Sequence, residues 1–203
     1  MAADALLDQL TLDAHAADLL FREARTASEF LDEPVADEQL RAVFELARMG
    51  PTAMNTQPLR VTWIRSADAR GRLLPHMAEG NRAKTAAAPV VAVLSYDVDW
   101  HEQLPAVNPR GAAKQQAFAE DEELRARWGR DNAHLQAGYF LLAVRAVGLA
   151  AGPMGGFDPA GVDAEFHTGT AHRSLLVVNI GVPAAPRHDR LPRLEFDAAT
   201  STV

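Results

Sequence analysis

The sequence predicts an α+β domain, and three observations carry that prediction. Apolar periodicities give the order ααβαβααβαβ, in which helices outnumber strands and do not alternate strictly with them. No G-x-G-x-x-G fingerprint follows the first strand-like run, which excludes a Rossmann arrangement. Residues 89–96 and 174–181 are runs of Val, Leu, Ile and Ala, as expected of strands buried inside a covered sheet.

The elements follow in order. Leu6, Leu7, Leu10, Ala14, Ala17 and Leu20 or Phe21 recur at the three- and four-residue steps of an amphipathic helix. Asp37 stands as the N-cap of a second helix, whose Leu40, Val43, Phe44 and Ala47 form one face and which Gly50-Pro51 ends. Residues 60–64 read as a strand, 67–77 as a helix closing near Gly80, and 89–96 as the next strand. Residues 97–111, with Pro105 and Pro109, are a loop, and 112–128 a strongly charged helix. Residues 131–147 are apolar on nearly every side, which places that helix at the domain centre or at a subunit interface. Gly148 is its C′ residue. A short segment, 149–152, leads to Asp158-Pro159, an N-cap acid and first-turn proline that open another helix, and residues 174–181 close the sheet. Residues 183–203 are expected to form an extended arm on a single domain spanning 1–203.

Composition narrows the function. A 203-residue chain with 48% apolar and 23% charged residues can bury a core and is not disordered. Twenty Lys+Arg against 27 Asp+Glu leave a net charge of −7 and no dense basic stripe, so neither nucleic acid nor an anionic membrane is an expected partner. The absence of cysteine excludes disulfides, iron–sulfur clusters, thiolate zinc sites and cysteine nucleophiles. MAADALLDQL is too acidic for a signal peptide, and the longest apolar run, 86–94, is far shorter than the ~20 residues of a membrane span, so a cytoplasmic protein is expected. Seven scattered histidines show no metal-ligand spacing, so no metal is expected and each reads as a surface or hydrogen-bonded histidine. G-x-S-x-G and P-loop signatures are missing too.

Three segments could carry chemistry. Residues 50–58, GPTAMNTQP, gather Thr52, Asn55, Thr56 and Gln57 on turn-rich backbone that can approach a ligand. Asn81 and Lys84 are three residues apart, on one face of a helical turn, and Lys84 precedes an apolar run where a lone lysine is costly without an anionic partner. Gly155 and Gly156 leave backbone N–H groups free to meet a flat ligand. Taken singly, each also reads as a plain connecting loop.

In order and spacing, GPTAMNTQP, GNRAKTAAAPVVAV, GLAAGPMGGFD, SLLVVNIG and HDRLPRLEF resemble the nitroreductase family of FMN-dependent oxidoreductases, from about Phe21 to Leu194. ARTASEFLDEPVADEQL, GPTAMNTQP and LPRLEF are similar to the branch containing the malonic semialdehyde reductase of pyrimidine degradation. The resemblance implies a mixed central sheet flanked by helices, in an intertwined homodimer with FMN at the interface. It also implies ping-pong hydride transfer from NADH or NADPH to a small-molecule acceptor without a protein nucleophile. Malonic semialdehyde or a similar 3-oxoacid is the acceptor it suggests first. A nitroaromatic, quinone or enone is the alternative, and a non-enzymatic flavin-binding module the third reading.

By the same resemblance the FMN phosphate falls to Arg25 with Thr26, and to Arg190 with His188 adjacent, forked donors being suited to a phosphate. Pro51, Thr52, Ala53, Asn55 and Gln57 would contact the flavin from the other subunit. Asn81 and Lys84 would meet the pyrimidine edge, where a cation raises the reduction potential, and Gly155 and Gly156 would bring N–H groups to the N5 side. The chain departs from the family at three places. Ala24-Arg25-Thr26-Ala27-Ser28 replaces the common Arg-x-Ser-x-Arg, Gly155 replaces a glutamate, and Leu59 replaces the tryptophan often following Gln-Pro.

Overall fold

The computed structural model describes residues 9–185 and 189–203. Leu6 and Leu7, which would begin the first helix, lie outside the described residues. Helix α1 (Ala14–Ala17) opens on Asp13, whose carboxylate accepts the Ala16 N–H at 2.7 Å, and runs into a π-turn at Asp18–Arg22. Helix α2 (Asp37–Ala47) follows. Its N-cap is Ala36 rather than Asp37: the Gln39 side chain returns to the Ala36 N–H at 3.0 Å, while Asp37 pairs with Arg65. Strand β1 (Leu59–Ile64), helix α3 (Ala67–Leu73), helix α4 (Glu79–Ala87) and strand β2 (Val90–Asp97) come next. The expected helix over 67–77 ends in a short 3-10 turn, Leu74–His76, and Gly80 lies in the first turn of α4 instead of closing a helix.

The expected loop at 97–111 is compact and largely helical. Helix α5 (Leu104–Val107) lies between 3-10 turns at Trp100–Gln103 and Pro109–Lys114, and Trp100, Leu104 and Phe118 bury themselves together. Helix α6 (Gln115–Ala119) leads to α7 (Glu122–Ala146), one continuous helix of 25 residues. The anticipated break near residue 129 is absent, because Gly129 serves close packing: a Cβ there would lie 3.1 Å from Trp100 Cδ1 and 3.2 Å from the Asp97 carbonyl. The break falls at Asp121, whose carboxylate caps Leu124 N–H at 2.9 Å. Gly148, with φ of 80°, ends α7 as expected. Strand β3 (Ala150–Met154), helix α8 (Pro159–Phe166), strand β4 (His172–Gly181) and a one-turn helix α9 (Phe196–Ala199) complete the order.

The sheet has the order β1-β2-β4-β3, and every pairing in it is antiparallel, so the mixed sheet implied by the resemblance is corrected to an antiparallel one among the described residues. The connections from β1 to β2 and from β3 to β4 join antiparallel neighbours, whereas the one from β2 to β3 skips a place that β4 then fills. Strand β2 is covered on both sides, as its apolar run requires: Val90, Ala92 and Leu94 face α2 and α7, while Val91 and Val93 join Leu73, Met77 and Val162. Helix α7 is not buried all round. Ala133, Ala137, Phe140 and Val144 are buried, whereas Leu135 and Tyr139 are exposed, as are Phe44, Leu46 and Met49 of α2 and its C-terminal turn. Among the described residues no helix is long and apolar enough to cross a membrane.

Candidate functional site

A cavity of about 680 Å³ opens where the segment after α1 passes the start of β3 and the chain beyond β4. Arg25, Thr26, Arg145, Arg190 and Arg193 line it, with the backbone of Gly148–Ala150. Its shape follows from a close crossing. The Ala27 N–H donates to the Ala151 carbonyl at 3.0 Å, and Gly152 lets the two backbones touch. Phe30 then bridges to Pro183, which draws the chain after β4 over the same mouth.

The arginines are held by backbone. Arg190 donates from Nη2 to the carbonyls of Phe21, Arg22 and Ala24 at 3.1, 2.6 and 2.8 Å. Arg25 donates to the carbonyls of Arg22 and Ala24 at 3.1 and 3.2 Å, and Arg145 to that of Leu20 at 3.0 Å. Arg145, Arg190 and Arg193 have no carboxylate partner among the described residues; of the four acids on the lining, Asp18 and Glu23 pair with Arg22 and Arg25, and Glu29 and Asp189 stand beside them. Burial and then the charge of Arg190 hold the Arg145 guanidinium below its ordinary pKa. Two cations on one cavity lining, with their forked donors only partly engaged, suit an anion with several oxygens. Arg25, Thr26 and Arg190 thus line one cavity. His188 lies outside the described residues. Arg145 and Arg193 were not singled out by the sequence; for Arg145 the signal is a charge inside the most apolar helix.

Strand β3 leads from this cavity to a second cluster. Its four steps span roughly 13 Å and end at Gly155-Gly156. There Asn81 Nδ2 and the Ala78 N–H both donate to the Gly156 carbonyl, at 2.8 and 3.0 Å. A Cβ on Gly156 would lie 2.7 Å from Asn81 Nδ2, so the glycine permits this contact. Asn81 and Lys84 are half-buried on the same face of α4, while Arg82 and Ala83 between them are exposed. Lys84 has no hydrogen bond or ion pair among the described residues. The Gly155 N–H is on an exposed stretch.

Residues 51–57 are not brought to either cluster within one chain. Their polar groups serve largely to hold the turn. Thr52 Oγ1 accepts the Gln57 N–H at 3.2 Å, Asn55 Nδ2 donates to the Val107 carbonyl at 2.7 Å, and Gln57 Nε2 donates to Asn55 Oδ1 at 3.0 Å. Thr56 is buried, whereas Pro51, Ala53 and Asn55 are exposed. Elsewhere, His167 meets Asp163 through Nδ1 at 3.1 Å and Thr62 through Nε2 at 3.3 Å, a histidine satisfied within the core. No group of three or more metal-ligating side chains occurs among the described residues.

Comparison with known proteins places these features in a family context. The Nitroreductase family model matches residues 21–182. A protein of Leptothrix cholodnii, provisionally named NADH dehydrogenase/NAD(P)H nitroreductase, is 55% identical over 194 residues, covering 95% of this chain and 98% of that one. A nitroreductase structure from Exiguobacterium sibiricum, determined in complex with FMN, superposes with a TM-score of 0.81 at 18% identity, covering 96% and 99% of the two chains. A Staphylococcus epidermidis structure described as an NAD(P)H:FMN oxidoreductase gives a TM-score of 0.79 at 18% identity, again covering 96% and 99%. At these identities the two structures establish likeness of fold alone.

Proposed function

The chain belongs to the nitroreductase family, and from that premise we propose that it is an FMN-dependent oxidoreductase that draws electrons from NADH or NADPH. The observation that carries this reading is the arginine cavity, which Arg25, Arg145, Arg190 and Arg193 line together. The residues fit the group. Arg25, Thr26 and Arg190, joined by Arg145, would hold the phosphate; Asn81 and Lys84 would stand at the polar edge of the ring; Gly155 and Gly156 would offer backbone N–H groups beside it. Bound there, FMN supplies two-electron transfer between the nicotinamide and an acceptor. The chain's own part is to bind and orient, with Lys84 as the cation that favours an electron-rich ring.

The site is completed by a second copy of the chain. Leu135 and Tyr139, one turn apart on α7, form an exposed apolar face, and Phe44, Leu46 and Met49 are exposed on α2 and its C-terminal turn, features of the kind that mark an interface. Burying them in a homodimer would carry residues 51–57, at the end of α2, toward the partner's cavity. Leu191, Leu194 and Phe196, all exposed on the arm, would cover the partner.

The acceptor we favour is malonic semialdehyde or a related small 3-oxoacid, on the strength of ARTASEFLDEPVADEQL and LPRLEF. The name of the Leptothrix relative supports a second reading, a nitroaromatic acceptor. Anaerobic mixing with each nicotinamide tests the proposal: the yellow flavin absorbance should bleach. Reoxidation by malonic semialdehyde, a nitroarene, a quinone and an enone then ranks the acceptors. A purified protein that is colourless and takes up no added FMN would overturn the proposal.

A further inference from the structure

Met54, Asn55 and Gln57 have φ of 56°, 57° and 44°, the left-handed region that non-glycine residues seldom enter. Three such residues within four persist only where the surroundings hold them. The holding groups are amide side chains arriving from two sides. From α7, Asn132 Oδ1 accepts the Ala53 N–H at 2.6 Å while its Nδ2 donates to the Trp128 carbonyl at 2.9 Å. One helical turn on, Gln136 Oε1 accepts the Leu59 N–H at 3.0 Å. From the excursion between β2 and α7, Asn108 Nδ2 donates to the Met54 carbonyl at 2.9 Å, and Asn55 Nδ2 answers by donating to the Val107 carbonyl. Asn132 and Gln136 are buried, where an amide is costly unless bonded, so the backbone they grip accounts for their presence.

We infer that Asn108 and Asn132 are positioning residues of the oxidoreductase site, acting through the backbone of residues 53–57 to hold the surface that a partner subunit's flavin and its acceptor would meet. The inference rests on the proposed function in one respect, that residues 51–57 face the flavin. The geometry also separates the clamp from local folding. Asn108 Oδ1 caps the turn Pro109–Lys114 by accepting the Gly111 N–H at 3.1 Å. Asn108→Ser and Asn108→Asp keep an oxygen for that cap but remove the donor to Met54.

The test has two arms. In cofactor-free protein, hydrogen exchange is measured at the amides of Ala53, Asn55, Thr56 and Gln57, all of which are bonded within the clamp. Asn108→Ser should speed exchange there by about tenfold or more and leave β2 unchanged, and Asn132→Ser should do the same chiefly at Ala53. In FMN-loaded enzyme both variants should keep flavin stoichiometry and lose about 10- to 100-fold in kcat/KM, with the acceptor KM raised. Unchanged exchange in both variants overturns the clamp, and faster exchange with unchanged kcat/KM overturns its role in the site. A wild-type chain that binds no FMN sinks the proposed function instead, and the exchange arm still decides the clamp.

Discussion

Gly152→Ala should loosen the cavity from its back wall. Gly152 lies mid-β3 on the sheet edge, where a Cβ would sit 2.3 Å from the Ala27 carbonyl oxygen and 3.7 Å from Asn179 Cβ. Close carbon–oxygen contacts in proteins stop near ~3.3 Å, so the substitution demands about 1 Å of separation. Backbone stands on both sides of the contact, and no flexible side chain can yield. The separation breaks the Ala27 to Ala151 hydrogen bond, worth about 1 kcal/mol net, and adds overpacking of about 1–3 kcal/mol. A total of about 2–4 kcal/mol lowers Tm by about 5–15 °C in a chain of this size. Arg25 and Thr26 ride on the displaced segment, so FMN affinity should fall as well. Thermal unfolding followed by circular dichroism and FMN titration followed by flavin fluorescence measure the two effects. Gly71→Ala is the control: its Cβ meets nothing within 4 Å on α3, and it should hold or gain up to about 1 kcal/mol. A Gly152→Ala protein with unchanged Tm and FMN affinity would refute the assignment of this crossing as the cavity's support.

Four further expectations follow from the same geometry. Arg190→Ala should purify largely without flavin yet keep its fold, since the guanidinium's protein partners are three backbone carbonyls on the rim; full FMN occupancy would move the phosphate elsewhere. Lys84→Met should lower the flavin midpoint potential with only modest loss of binding, and a potential equal to that of the wild type would return Lys84 to the ordinary surface lysines. Burial, followed by Arg125 for His101 and opposed by Asp97 for His172, lowers both imidazole pKa values in the fold. The unfolded chain therefore takes up protons first, and stability should fall as pH drops below about 6.5; a Tm that is flat between about pH 7 and 5.5 counts against this. Tyr139→Glu puts a charge on the exposed apolar face of α7, and should yield a monomer by ultracentrifugation with weakened FMN binding.

Much of the fold was legible because it rests on local signals. Strand β2 announces itself by an apolar run that only a doubly covered strand can bury, and Asp158-Pro159 and Gly148 mark helix ends by their own backbone preferences. The misread boundaries include Gly80 taken as the close of a helix, Asp37 taken as an N-cap, and a break expected between residues 128 and 131. Gly80 and Gly129 are ordinary helical residues here, and at Gly129 the missing side chain makes room for Trp100 and the Asp97 carbonyl. That requirement belongs to residues 30 or so positions away and leaves no trace in the helix's own pattern. Helix α7 divides its apolar circumference: Ala133, Ala137, Phe140 and Val144 enter the core, while Leu135 and Tyr139 are exposed within the chain.

The candidate site was legible to different degrees for reasons of chemistry. Arg25 and Arg190 are 165 positions apart in sequence, and only the family resemblance joined them; the structure does so physically, through carbonyls of residues 22 and 24 that both side chains share. Arg145 could have been found without any resemblance, as a permanent charge in an apolar helix that must reach a polar group. The strain at Met54, Asn55 and Gln57 could not. A non-glycine residue in the left-handed region carries no sequence signature beyond asparagine's mild tolerance, and the amides that enforce it come from residues 108 and 132. Thr52, Asn55 and Gln57 were chosen as polar groups free for a ligand, yet much of their hydrogen bonding is internal. What the segment presents is therefore a rigid backbone contour more than a set of loose donors. A surface of that kind suits a flat ring, whose recognition depends on shape held in place before it arrives.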